Sequence, residues 1–250
     1  MKVKISLAFI AIYLFSLVLT APASMITRFI PDNAGVQIGH ISGTLWNGKL
    51  SQVDYRNQFQ LQKVTWKMNW LALFTLKLQA DVKFSNGRKV MSGAGIVAYS
   101  LSGMTLSDVN VDMQASALLP YLTLPVPVDL SGKFTLVIEN GSQGAPYCEE
   151  LDGYLVWHDG KIGTPMGNID LATPSMDLSC VEGGFVASLK QHSEQITTNA
   201  NISLKEGGSY QLEGNIIGRE KLDPSILQAL SWLGPKTAAG ETVLNFKGRL

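Results

Sequence analysis

From residue 35 onward the chain alternates apolar and polar positions with a period of two. Leu76, Leu78, Ala80, Val82 and Phe84 fall on one parity, and Lys77, Gln79, Asp81, Lys83 and Ser85 on the other. Successive side chains of a strand point to opposite faces, so the pattern predicts a strand with one buried and one wet face. Val64, Trp66, Met68 and Trp70 repeat it, as do Val109, Val111 and Met113. So do Phe134, Leu136 and Ile138, then Phe185, Ala187 and Leu189, the run 210–213, and Leu244 with Phe246. Such alternation implies antiparallel pairing.

Five pairs between these runs read as hairpin turns: Asn47-Gly48, Asn86-Gly87, Asn140-Gly141, Asp152-Gly153 and Asp159-Gly160. Asn-Gly and Asp-Gly tolerate the positive φ angles that tight hairpins need. Two stretches read as helical. One is 116–121. The other starts at Asp223 as N-cap with Pro224 behind it, and runs through Ile226, Leu227, Leu230 and Leu233 to Gly234-Pro235. A short helical turn is also expected at 70–74.

The N-terminus breaks the alternation. Lys2 and Lys4 precede an uncharged run from Ile5 to Thr27, closed by Arg28. A run of about 20 apolar residues spans a bilayer, and the lysines hold the short end in the cytoplasm. The expected organisation is a cytoplasmic stub at 1–4, an anchor at 5–27 and an exported β domain at 28–250. A second reading stays open: Ala21-Pro22-Ala23 before Ser24 looks like a signal-peptide cleavage site.

Landmarks recur within the exported part. Gly43–Leu50 resembles Gly153–Ile162, Ala117–Leu122 resembles Ser225–Leu230, and Pro127–Phe134 resembles Pro235–Thr242, all offset by about 110 residues and in the same order. Three collinear matches point to a tandem duplication, with repeats at about 36–144 and 145–250.

Composition narrows the function. Of 250 residues 46% are hydrophobic and 16% charged, and 20 basic residues balance 20 acidic ones. That leaves no electrostatic footprint for nucleic acid. The only cysteines, Cys148 and Cys180, lie in the exported part, where an even number suggests one disulfide. Two separate buried thiols are the alternative. No metal site is expected, because His40, His158 and His192 are scattered and none stands at ligand spacing from a cysteine. No convergent acid, base or nucleophile marks catalysis, so no catalytic residue and no cofactor is expected. Gly93-Ala94-Gly95-Ile96-Val97-Ala98 matches a dinucleotide fingerprint by letter, but strand continues after it and no helix follows. It reads as a strand closely approached by a neighbour. Trp66 and Trp70 are expected on one strand face with Val64 and Met68, as core residues. Trp46 and Trp157, beside expected turns, are open between packing and partner contact. His158 reads as a solvated turn residue.

The order of these features resembles a known family. It comprises the single anchor, Gly35-Val36-Gln37-Ile38-Gly39, Gly43-Thr44-Leu45-Trp46-Asn47-Gly48, Val64-Thr65-Trp66, and the Pro125–Gly132 segment. Cys148 with Leu151-Asp152-Gly153 and Trp157, Asp177-Leu178-Ser179-Cys180, and Glu182-Gly183-Gly184 complete it. Together they resemble the type II secretion system protein N family, also called general secretion pathway protein N, almost end to end. The Gly-Thr-Leu-Trp-x-Gly hairpin and the cysteine spacing are its more specific parts. The resemblance implies a non-enzymatic, single-pass inner-membrane accessory component with its bulk in the periplasm. Such a component assists export of folded periplasmic proteins across the outer membrane through contacts with other inner-membrane secretion components. The family is also distantly similar to AsmA-type envelope proteins. The expected fold is therefore mainly β: an N-terminal transmembrane helix, then a duplicated, curved antiparallel sheet with few short helices, like a half-barrel. The alternative function is a binding or transfer module that holds lipid or another apolar ligand on that sheet. Trp46, Asn47 and Gly48 are the candidate partner contact, because their hairpin follows the anchor by only about 20 residues and sits near the membrane.

Overall fold

The computed structural model describes residues 9–10, 13, 16–29, 35–55, 59–87, 90–121 and 127–249. The expected stub and parts of the expected anchor lie outside them. Residues 9–10, 13 and 16–20 are helical, and Ala23–Phe29 forms a 3-10 helix. Among the described residues, no helix is long and apolar enough to cross a membrane. The chain forms two compact units, Met1–Asn86 with Ile96–Leu101, and Gly87–Gly95 with Ser102–Leu250. Their boundaries are those of contact, and differ from those of the sequence repeats.

In the first unit, β3 (Asn47–Tyr55) pairs on one side with β4 (Phe59–Asn69). On its other side it pairs with β1 (Val36–Ile38) and β2 (Ile41–Gly43). β4 pairs onward with β5 (Leu78–Ser85), and the order continues to β6 (Met91–Ser100), whose residues from Ile96 belong here. The β2–β3 turn differs from expectation. Thr44 N–H donates to Asn47 O (3.0 Å) and Gly43 pairs with Gly48, so Leu45 and Trp46 make the turn while Asn47-Gly48 opens the strand. Positive φ falls on Gly43 (93°). Gly48 is needed for a close approach instead: a Cβ there would lie 2.1 Å from Cζ2 of Trp66. Trp70 also departs from its expected place. β4 ends at Asn69, whose side chain accepts from Leu71 N–H, and Trp70 leaves the sheet on a 3-10 turn (Trp70–Thr75), 59% exposed.

The second unit is a run of antiparallel strands. They are β7 (Gly103–Gln114), β8 (Asp129–Gln143), β9 (Cys148–Thr164), β10 (Gly167–Ala172) and β11 (Ser175–Val181), followed by β12 (Gly184–His192), β13 (Ile196–Lys205), β14 (Ser209–Gly218) and β15 (Thr242–Arg249). Their order is β7-β8-β9-β11-β12-β13-β14-β15, with β10 paired to the far half of β9. Directly paired residues share a face. One row across all eight strands therefore reads Val111, Leu136, Leu155, Met176, Leu189, Ala200, Gly214 and Leu244. The adjacent row, on the other face, reads Asn110, Val137, Tyr154, Asp177, Ser188, Asn201, Glu213 and Asn245. The sheet is thus apolar on one side and polar on the other. The helix Pro224–Ala229 covers one end of the apolar side, where Ile226, Leu222 and Leu230 bury Ile196 against Ile169, Leu171 and Ile216. Asp223 caps that helix by accepting from Ser225 N–H (2.8 Å). The expected segment at 116–121 is the 3-10 helix Ala115–Tyr121.

Three expected turns are not turns. Asn140-Gly141 lies inside β8, and Asp152-Gly153 and Asp159-Gly160 lie inside β9. β9 pairs on both sides for most of its length, and that pairing overrides the local signal. Asp159, at φ 50°, becomes a bulge where the β8–β9 register shifts, so His158 stands exposed in a strand rather than in a hairpin loop. Gly153 fits β9 because a Cβ would come within 2.6 Å of Val137 O. A two-residue loop of positive φ occurs instead at Glu182-Gly183 (52° and 76°), closing the β11–β12 hairpin. Gly95 lies in β6, where its Cβ would meet Val109 Cγ2 at 2.8 Å, the close approach read from the sequence.

Candidate functional site

A cavity of about 290 Å³ opens on the apolar side of the second unit, lined by Phe134, Leu155, Trp157, Leu171, Pro174, Ser175, Met176, Leu189, Gln191 and Thr198. It forms where β9 changes partner. The first half of β9 pairs with β11 and the second with β10, and Trp157 N–H donates to Pro174 O (2.9 Å) at the change. The Trp157 indole N–H donates to Ser131 O (2.9 Å), and its ring packs on Phe134 with centroids 4.8 Å apart. That leaves the apolar body of the indole as a wall.

Gln191, beside Ser175 and Thr198, is the buried polar residue of this wall. It is 5% exposed. Its Nε2 donates to Leu171 O (3.1 Å) and Ile196 O (3.0 Å). Two carbonyls can be served only by the NH₂, so the amide orientation is determined. Its Oε1 is buried and has no hydrogen-bond partner among the described residues. An orphaned buried acceptor costs about 1–3 kcal/mol. The cavity itself, walled mainly by Phe134, Leu155, Trp157, Met176 and Leu189, suits an apolar body. Sequence reading missed Gln191. The available signal was parity, since it continues the inward positions Ala187 and Leu189.

The sequence-derived site residues lie elsewhere. In the first unit the Trp46 indole N–H donates to Val18 O (2.9 Å), Leu45 N–H donates to Ala21 O (3.0 Å), and Pro22 bridges to Thr44. Ala23 is wholly buried. Asn47 N–H donates to Thr44 Oγ1 (3.2 Å), and Gly48 lies under Trp66, whose indole N–H donates to Leu45 O (2.9 Å). Of the three, Trp46 thus engages the end of the N-terminal segment, together with Leu45 and Thr44, while Asn47 and Gly48 shape the turn that presents it. In the second unit Cys148 and Cys180 form a disulfide, Cα–Cα 6.1 Å, joining the start of β9 to the end of its partner β11. Tyr147 N–H donates to Gly183 O (3.1 Å) beside it.

Charge is sparse around these sites. Lys133 lies 2.9 Å from Asp112, and its hydrogen bond, aided by that of Thr135, holds the Asp112 carboxyl below its ordinary range. Among the described residues, no group of three or more His, Cys, Asp or Glu could hold a metal ion.

Comparison with known proteins fits this arrangement to a family. Type II secretion system protein N of Aeromonas hydrophila is 28% identical over 252 residues, covering 100% of this chain and 99% of its own. That of Vibrio cholerae serotype O1 is 28% identical over 245 residues (98% and 97%), and that of Pectobacterium carotovorum 26% over 230 (92% and 90%). No solved structure matches the chain. The family model described as Type II secretion system (T2SS), protein N matches residues 34–245, and the chain belongs to that family.

Proposed function

We propose that the protein is a non-enzymatic accessory component of the type II secretion system, held in the inner membrane by its N-terminal segment with its bulk in the periplasm. In that role it assists export of folded periplasmic proteins. Its working surface is the apolar side of the second unit, used as a binding module for an apolar ligand. The observation that carries this reading is the cavity lined by Trp157, Met176 and Leu189. An extended peptide fits it less well, because its backbone would bury several N–H and C=O groups against a wall offering few partners. Direct protein contact is the second reading. It is favoured by β15, which ends the strand order of its unit and, beyond the Thr242 and Val243 positions that Pro235 and Lys236 cover, leaves an edge for strand addition.

A photo-crosslinking amino acid at Met176 in growing cells separates the two. A lipid-sized adduct supports the binding module. A protein adduct replaces it with the second reading. Labelling no stronger than at Asn201, on the polar side, removes the cavity from the function.

A further inference from the structure

The register of the first unit gathers its most exposed apolar residues at one end. Asn47 pairs with Lys67 and Asn69 with Gln79, so the β2–β3 turn, the end of β4 and the start of β5 lie together. β6 returns to that end as the neighbour of β5. There the 3-10 turn Trp70–Thr75 and the residue after it form a tip, with Phe74 80% and Leu76 75% exposed. Leu101, at the close of β6, is 95% exposed.

The tip is built, not loose. Asn69 caps its start, Thr75 Oγ1 donates to Ala72 O (2.8 Å), and Leu76 N–H donates to Leu73 O (3.0 Å). The Trp70 and Phe74 rings meet edge to face at 6.2 Å. A rigid turn presenting Trp, Phe and Leu to solvent, followed by the exposed Lys77, is the composition that settles at a bilayer interface.

The N-terminal segment leaves from the same end. Trp46 and Leu45 hold it at Val18 and Ala21, and its residues Phe9, Ile10, Leu17 and Leu19 are exposed and apolar. A membrane that received that segment would adjoin this end. We propose that the Trp70–Leu76 tip, with Leu101 beside it, dips into the bilayer interface as a second membrane contact of the first unit. The inference rests on the reading of the N-terminal segment as an anchor.

The test uses the full chain in vesicles of phosphatidylethanolamine and phosphatidylglycerol. The native cysteines are bonded to each other, so Phe74→Cys adds a single reactive thiol for a fluorophore. Parallel labels go on Tyr13→Cys in the N-terminal segment, on Leu101→Cys, and on Asn201→Cys as an aqueous reference. Quenching by nitroxide-bearing lipids is compared with quenching by iodide. The proposal expects the labels at 74 and 101 to be quenched by lipid several-fold more than the label at 201. A label at 74 that iodide reaches as readily as at 201 overturns it. So does one shielded from both quenchers, which means a protein cover. The label at 13 reports the anchor separately. Lipid quenching at 13 with aqueous labels at 74 and 101 overturns the tip and keeps the anchor. The reverse keeps the tip and removes the anchor.

Discussion

The indole N–H of Trp46 donates to the backbone carbonyl of Val18 across 2.9 Å, tying the β2–β3 turn to a segment 28 residues earlier in the chain. With the Leu45–Ala21 hydrogen bond and the Pro22–Thr44 bridge, it makes this turn the seat of the N-terminal segment. Trp157 uses its indole N–H in the same way, on Ser131 O, but its ring walls a cavity. Trp46→Phe keeps most of the apolar body and removes the donor. It is expected to leave folding intact and to speed hydrogen exchange of the Leu45 amide, measured by mass spectrometry. Trp46→Ala is expected to impair secretion more than Trp157→Ala at matched protein levels. Equal secretion by both would sink the asymmetry.

The disulfide closes a loop with a sequence separation of 32. The loop-entropy model assigns such a loop about 3–4 kcal/mol. Cys180→Ala should lower the urea midpoint of the second unit accordingly. The β3–β4 pairing of the first unit should keep its hydrogen-exchange protection. Uniform loss across both units would mean that the bond stabilises the chain as a whole.

Gly48→Ala tests the close approach of β3 to Trp66. Gly48 has no positive φ to lose, so any cost comes from the methyl group meeting the indole. Overpacking of this kind costs about 1–3 kcal/mol. The variant is expected to displace the Trp66 ring from Leu45 O, seen as a shift in tryptophan emission. Unchanged stability and emission would show that the ring gives way freely.

Asp112 provides a pH-dependent test of the second unit. Its carboxyl is held low chiefly by the hydrogen bond from Lys133, so the pair stabilises the fold above the unfolded carboxylate range, about 3.9. That contribution is lost as pH falls through the folded value. Both side chains are well exposed, which limits it to under about 1 kcal/mol. Asp112→Asn should therefore be slightly less stable than the parent at neutral pH, with the difference vanishing as pH falls through the lowered folded value of the Asp112 carboxyl, by urea titration at each pH.

Parity and spacing in the sequence determined the strand-rich class, the two faces of β5, β8 and β12, the capped helix after Asp223, and the short helices at 70 and 116. These follow from nearest-neighbour chemistry: a period of two, a capping carboxylate, a proline in a first turn. Tertiary pairing decided which Asn-Gly and Asp-Gly pairs turn. Asp152-Gly153 stays extended and Asp159-Gly160 becomes a bulge inside β9, because β8, β10 and β11 supply backbone partners along both sides of that strand. A glycine's lack of a side chain serves a turn or a close approach equally well, and only the neighbour, Trp66 over Gly48 or Val137 O beside Gly153, settles which. The same holds for the cavity. Whether a glutamine on an inward parity is satisfied depends on which carbonyls reach it, and those of Leu171 and Ile196 come from elsewhere in the sequence, so the unpaired oxygen of Gln191 exists only in the folded chain.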